Sequence, residues 1–350
     1  MNAPDVIIAG AGIIGVSIAL ELRQRGAQVL VLDRGEPGQE ASSAAAGMLS
    51  PSDPETPLPL RPLAFASAGA FPEYVTDLEN LSEMKVDFRR QGTIAMLESS
   101  SVPPQYRKLS SEELKRMEPT LETRGRMAFL IEEDSVDPAL LMRAALRAAT
   151  RNGIEIRGQA TVREVRPANT QMEILTDAGR FSARAVVNCR GAWSGAPVKP
   201  RKGQMLYLQP PSSGLLQHVV NAPEVYIVPR SSGKILVGAT LEDAGYDKTV
   251  ETVTIQKLHR AAAWLIPELA SAPVTESWAG LRPGSPDDLP LLGETEIRGL
   301  FTASGHFRNG ILLAPVTAQI MADLVMGKPA GMEIAAFSPL RFYPRQDLSL

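Results

Sequence analysis

The sequence predicts an α/β protein in which a three-layer domain built on a parallel sheet is interleaved with a domain of antiparallel sheet. Three observations predict it. Residues 5–35, "DVIIAGAGIIGVSIALELRQRGAQVLVLDRG", read as strand, helix and strand around a glycine turn. Two later stretches, "ARAVVNCRGAW" (183–193) and "GLFTASGH" (299–306), are apolar strands that end in small residues and glycine. Strands whose carboxyl ends converge on one edge are where a parallel sheet binds an extended ligand. Between these three segments the chain instead alternates short strands with polar turns, the pattern of antiparallel pairing.

Taken in order, Val6–Ala9 is an apolar run, and 13–25 has helical spacing stopped by Gly26. Residues 28–32 form a second apolar run that ends at Asp33. Between strand and helix, Gly10, Gly12 and Gly15 spell G-x-G-x-x-G. The first glycine permits the tight turn, the second lets a pyrophosphate reach the backbone, and the third lets the helix pack on the strand. Ile13 and Ile14 open a helix whose first N–H groups and dipole favour an anion. Asp33 is placed to accept hydrogen bonds from ribose hydroxyls, with Arg34 beside it. The unit predicts a Rossmann-like, dinucleotide-binding domain, and by itself does not distinguish FAD from NAD.

"EASSAAAGMLSP" (40–51) follows the second strand directly. Ser42 and Ser43 offer hydroxyl and N–H groups, and the small residues up to Ala46, Gly47 and Met48 let a backbone lie flat against a planar ring. The alternative is a small-residue helix packed on the sheet. Residues 51–72, rich in Pro and Ala, predict an irregular surface passage. "RRQGTIAMLE", "GQMLYLQP", "EVYIVPRSSGKILVGATLE" and "VTESWAGLRPGS" read as antiparallel strands, with a helix over 254–266 before the last. Residues 136–153 predict a helix with Asp137 as N-cap, Pro138 in its first position and Gly153 past its end. "IEIRGQATVREVRP" and "MEILTDAGRFSARAVVN" add small antiparallel strands before the parallel sheet resumes. The expected nucleotide-binding domain is therefore discontinuous, 1–80, 134–198 and 280–350, and the substrate-binding domain is 81–133 and 199–279.

Composition removes several classes. A net charge of −3 with acids and bases interspersed, and 5% aromatics, leave no footprint for nucleic acid. No run of eighteen or so apolar residues exists to span a membrane. A first strand starting at about Asp5 leaves no room for a signal peptide, so a cytoplasmic location is expected. Three scattered histidines and the lone Cys189 predict neither a metal site nor an intramolecular disulfide.

"ASSAAAGMLSP", "YIVPRSSGKILVGAT", "WAGLRPGSPDDLPLLG" and "GHFRNGILLAPVTA" resemble, in order and spacing, the ThiO-type glycine oxidases within the FAD-dependent D-amino-acid oxidase and sarcosine oxidase family. The likeness runs from residue 6 to about 328, with 52–136 the least diagnostic stretch. It implies a D-amino-acid oxidase-like fold, noncovalent FAD, and oxidation of glycine and other small amino acids such as sarcosine and small D-amino acids. It also implies O2 as acceptor, H2O2 as product, a role in forming the thiazole of thiamine, and a homo-oligomer, a tetramer. By the same resemblance Val162 meets the adenine end through its backbone, and Gly191 and Trp193 line the flavin edge. Some relatives attach flavin through a cysteine, whereas Cys189, ending a buried strand, reads as a small core hydrophobe. Arg282 matches the family's carboxylate anchor, a role in which a planar guanidinium binds bidentately, and Tyr226 matches the tyrosine that assists it. Without the resemblance, Arg282 reads as a surface arginine and Tyr226 as a strand residue covering core.

The helix after "HFRNG" has an unusual opening for an apolar helix. The N–H groups of Asn309, Gly310, Ile311 and Leu312, unpaired at a helix N-terminus, suit the negative charge that a flavin gains on reduction. Arg308 faces the substrate side of the ring or forms an ion pair at a domain edge, and His306 adjoins the flavin or caps the helix. His218 and His259 are expected to be exposed, and no histidine base is needed if hydride leaves for flavin N5. Leu241 stands in the pocket wall where relatives have methionine, and Glu224 replaces a polar residue ahead of the tyrosine, so the preferred amine stays open. The alternatives are a D-amino-acid dehydrogenase passing electrons to a quinone or protein, and a noncatalytic FAD-binding subunit. Retention of Arg282 and Tyr226 argues against the latter.

Overall fold

The computed structural model describes residues 3–98 and 102–342; the terminal positions 1–2 and 343–350 of the expected first domain, and 99–101, lie outside the described residues. Val6–Ala9 occupies the middle of a six-stranded sheet, paired in parallel with Val29–Leu32 on one side and Ala185–Asn188 on the other. Glu155–Arg157 and Leu300–Ser304 extend it in parallel, and Leu291–Glu294 closes one edge antiparallel. Period-two alternation splits the central strand between two cores. Val6 and Ile8 face the helices Ile13–Gln24, Arg61–Ser82, Pro138–Arg151 and Ala314–Val325. Ile7 and Ala9 face a three-stranded antiparallel sheet, Val162–Ala168, Gln171–Thr176 and Gly179–Ala183. The three layers are thus helices, parallel sheet and meander.

The expected caps form: Asp137 Oδ1 accepts from the N–H groups of Ala139 and Leu140, at 2.9 and 3.0 Å. Residues 51–72 depart from expectation. Their second half belongs to the helix Arg61–Ser82, which buries Leu63, Ala64, Ser67, Phe71, Val75 and Leu78. Those residues recur at three- and four-residue spacing, so one face packs on the other helices and carries Pro72 within the helix.

The second sheet has eight strands, ordered Val274–Gly284, Lys199–Leu208, Ile235–Gly238, Val225–Pro229, Val219–Ala222, Thr93–Leu97, Met127–Ile131, Arg107–Lys108. It is not wholly antiparallel as expected: Val219–Ala222 and Thr93–Leu97 pair in parallel where a long connection brings the chain back. Val274–Gly284 runs through position 280 and belongs to this sheet throughout. The helix Thr252–Leu265 packs on one face with Leu206, Leu208 and Val237. On the other face Met205, Val228 and Leu236 meet Ala46 and Met48 from the first domain. A short sheet of Met48–Leu49, Asp134–Val136 and Phe88–Arg89 links the two bodies. Among the described residues no helix is long and apolar enough to cross a membrane.

Candidate active site

Both sheets open onto one cavity of about 830 Å³, which runs from the first glycine turn to the strands of the second sheet. At the glycine end, Gly10 has φ +114°, and a β-carbon there would stand 2.3 Å from the Cys189 carbonyl oxygen. Only glycine permits that crossing of two strand ends. Asp33 receives the N–H groups of Ala11 and Gly35 at 2.7 and 2.9 Å, which fixes the turn from both sides. Ser42 Oγ accepts from Ile13 N–H at 2.9 Å, whereas Gly12 and Ile14 N–H have no partner among the described residues.

Gly10, Gly12, Ile13, Ile14, Asp33, Arg34, Ser42, Ala46, Gly47, Met48, Val162, Gly191 and Trp193 all line the cavity. Gly15 does not: a β-carbon there would meet the Gly10 carbonyl oxygen at 2.0 Å, so it serves the helix–turn contact. Ser43 is a correction, since its hydroxyl turns away and donates to the Gly38 carbonyl at 2.5 Å. Trp193 is another. Its indole is stacked between the Arg34 guanidinium, 3.5 Å from the ring centroid, and the Tyr246 ring, so it meets the side chain next to Asp33. Val162 keeps its carbonyl on Arg190 Nη1 at 3.3 Å. Burial pushes the Cys189 thiol well above its ordinary pKa, which leaves an unreactive core residue.

At the far end the helix opening is as unusual as its sequence. Among the described residues the N–H groups of Gly310, Ile311 and Leu312 have no hydrogen-bond partner. Asn309 differs from expectation because its N–H is spent on the His306 carbonyl at 2.9 Å. The Leu312 side chain is core and its carbonyl accepts from Ser67 Oγ at 2.6 Å, so only its N–H is available. His306 is 2% exposed with Nε2 on Thr317 Oγ1 at 3.2 Å, and burial drops its pKa to about 3. Arg308 forms an ion pair with Glu55 at the cavity wall, which takes up the charge expected to face the substrate.

Arg282 and Tyr226 come together on the second sheet. The guanidinium donates from Nη1 to the Thr240 carbonyl at 3.1 Å and lies beside the Tyr226 hydroxyl. Burial raises the Tyr226 pKa against the opposing pull of Arg282, so the hydroxyl keeps its proton. That hydroxyl also lies 3.3 Å from Met205 Sδ. Sequence reasoning missed Gly203, Met205, Gly238, Thr240 and Gly280, which shape this end. Glycines inside strands are the signal that was there to read. Leu241 is 52% exposed at the rim, and Glu224, also on the cavity lining, pairs with Arg126 at 2.5 Å. His218 and His259 are half-buried, bonded to Glu118 Oε1 and the Leu269 carbonyl, each at 2.7 Å, and neither is exposed as expected.

The family model described as FAD dependent oxidoreductase matches residues 5–324. The chain belongs to that family. The bifunctional protein ThiO/ThiG of Synechocystis sp. is 36% identical over 97% of this chain and 54% of its own length, so the chain spans about half of that relative. The glycine oxidase of Geobacillus kaustophilus is 35% identical over 96% of this chain and 97% of its own. The crystal structure of glycine oxidase from that organism superposes with a TM-score of 0.92, 34% identity, and coverage of 97% of this chain and 99% of that one. The residues present fit FAD. Gly10 and Gly12 leave bare backbone at the nucleotide end, Asp33 keeps spare acceptor capacity, and unpartnered N–H groups stand at both helix openings. Gly12 and Ile14, on either side of the Ile13 N–H that Ser42 takes, would hold the pyrophosphate, the 44–48 strip would back the ring, and Gly310 to Leu312 would face its electron-rich edge.

Proposed function

We propose that the protein oxidises glycine and other small amino acids to the imino acid, which hydrolyses to 2-oxo acid and ammonia, with O2 reduced to H2O2. One observation carries the reading: Arg282, with Tyr226 beside it, shares a single cavity with the helix opening at Gly310 to Leu312. Bound FAD supplies the hydride acceptor and returns the electrons to oxygen. Arg282 holds the substrate carboxylate through the N–H groups that Thr240 does not use. Tyr226, kept protonated by burial, donates its hydroxyl to the same carboxylate. Met205, Gly238 and the small residues of the 44–48 strip leave room near the anchor for a small side chain and exclude water from it. His306, neutral and engaged by Thr317, takes no proton, so the substrate amine enters already neutral and is oriented, not deprotonated, by the protein.

The test is oxygen uptake on addition of glycine to the purified yellow protein, with peroxide counted against oxygen consumed. Equal amounts support the oxidase. Reduction of the flavin by glycine without oxygen uptake assigns the electrons to another acceptor and removes the oxidase reading.

A further inference from the structure

Behind Arg282 lies a polar cluster, buried at Lys202 and Gln204 and half-buried at Thr240 and Glu242, that takes no direct part in the proposed reaction. On Lys199–Leu208, Gly203 and Met205 face the cavity side, while Lys202 and Gln204 face the opposite side and are 2% and 0% exposed. A lysine that deep needs a partner. Its Nζ lies 3.5 Å from Glu242 Oε2, and the two residues also exchange backbone hydrogen bonds at 3.0 and 2.9 Å. Gln204 donates from Nε2 to Glu242 Oε1 at 2.9 Å and accepts the Glu251 N–H at 2.8 Å, which anchors the cluster to the start of Thr252–Leu265.

Thr240 joins this cluster to the cavity. Its hydroxyl donates to Glu242 Oε1 and accepts from Gln204 N–H at 2.9 Å, so both of its roles are filled and its rotamer is fixed. Its carbonyl, on the other side, is the acceptor for Arg282 Nη1. Burial pushes the Glu242 carboxyl up, but bonds from Thr240 and Gln204 and the Lys202 charge bring it below its ordinary pKa, so it stays ionised. Paired with Lys202, that charge is balanced at the point where a lone carboxylate would oppose an incoming one.

We infer that Glu242, Gln204 and Lys202 are positioning residues that hold the Thr240 carbonyl against Arg282 and so aim the guanidinium at the substrate carboxylate. The inference rests on Arg282 being the carboxylate anchor. Removing the hydroxyl of Thr240 loosens the carbonyl, and Arg282 then meets its ligand from a range of positions.

The experiment uses the FAD-loaded enzyme and acetate, a carboxylate with no amine to oxidise, read by the shift it causes in flavin absorbance. Thr240→Val and Glu242→Ala are expected to weaken acetate about fivefold, the order of one lost hydrogen bond. KM for glycine should rise by the same factor while kcat changes less, and Thr240→Ser should restore wild-type affinity. Arg282→Lys is the control for the anchor itself. If Arg282→Lys weakens acetate but Thr240→Val and Glu242→Ala bind it as wild type, the positioning role is wrong and the anchor stands. If Arg282→Lys also leaves acetate unchanged, the anchor reading fails and the inference with it. Loss of FAD or equal weakening in Thr240→Ser means general disruption of the fold, which overturns the inference as well.

Discussion

The guanidinium of Arg282 lies across the bare backbone of Gly203, where a β-carbon would stand 2.2 Å from Nη1 and 2.6 Å from Cζ. Gly203 pairs in register with Gly280, whose own β-carbon would stand 2.8 Å from the Ala44 methyl. Two side-chain-free positions on neighbouring strands thus seat the arginine and, beside it, the small-residue strip from the first domain. Gly203→Ala is expected to displace Arg282 with FAD still bound. Losing one hydrogen bond to a charged group, about 1.5 kcal/mol or more, corresponds to roughly a tenfold rise in the KM for glycine. Steady-state kinetics with a flavin count checks it, and an unchanged KM would mean that the arginine has room to shift without consequence.

The two arginines near the cavity should behave differently. Arg282→Ala is expected to weaken substrate by roughly 2–5 kcal/mol, about 30-fold or more, because it strands a buried carboxylate. Arg308 is half-exposed and already paired with Glu55, and such pairs contribute about 0–1 kcal/mol, so Arg308→Ala should cost less than about fivefold in kcat/KM. A larger loss at Arg308 than at Arg282 would exchange their roles.

Gly12→Val should abolish flavin retention. A β-carbon at Gly12 stands 3.0 Å from Ser42 Oγ, and the added methyls fill the space beside the first helical N–H groups. Gel filtration followed by an absorbance spectrum reads the outcome; a yellow Gly12→Val protein would put the nucleotide elsewhere.

His306 gives a pH prediction. Its folded pKa of about 3 lies below its ordinary 6.5, so between those values the unfolded chain binds the proton that the folded chain refuses. Its effect is to make stability fall as pH drops from 6.5 toward 3, and His306→Gln should flatten that part of the curve. Thermal melts across the interval measure it. Parallel curves for the two proteins would show that the imidazole is protonated in the fold.

What could be read in the chain was what is local. The G-x-G-x-x-G turn, the Asp137 cap and the helix after it depend on residues within a few positions of one another, and they stand where expected. The helix Arg61–Ser82 was hidden because Pro and Ala content masked the spacing of Leu63, Ser67, Phe71, Val75 and Leu78. Gly203 and Thr240 had no local meaning, since one acquires its role from a neighbouring strand and the other from a carbonyl 42 residues away from Arg282 in sequence. For the same reason Arg308 stood between two readings: Glu55, its ion-pair partner, is 253 residues distant.

Oxidation of glycine by a bound flavin is tested most directly by the absorbance spectrum of the purified protein before and after glycine is added without oxygen, and again after air is readmitted. The expected result is a flavin band that glycine bleaches and that air restores with release of peroxide. A bound flavin that glycine, sarcosine and D-alanine all fail to bleach would contradict it.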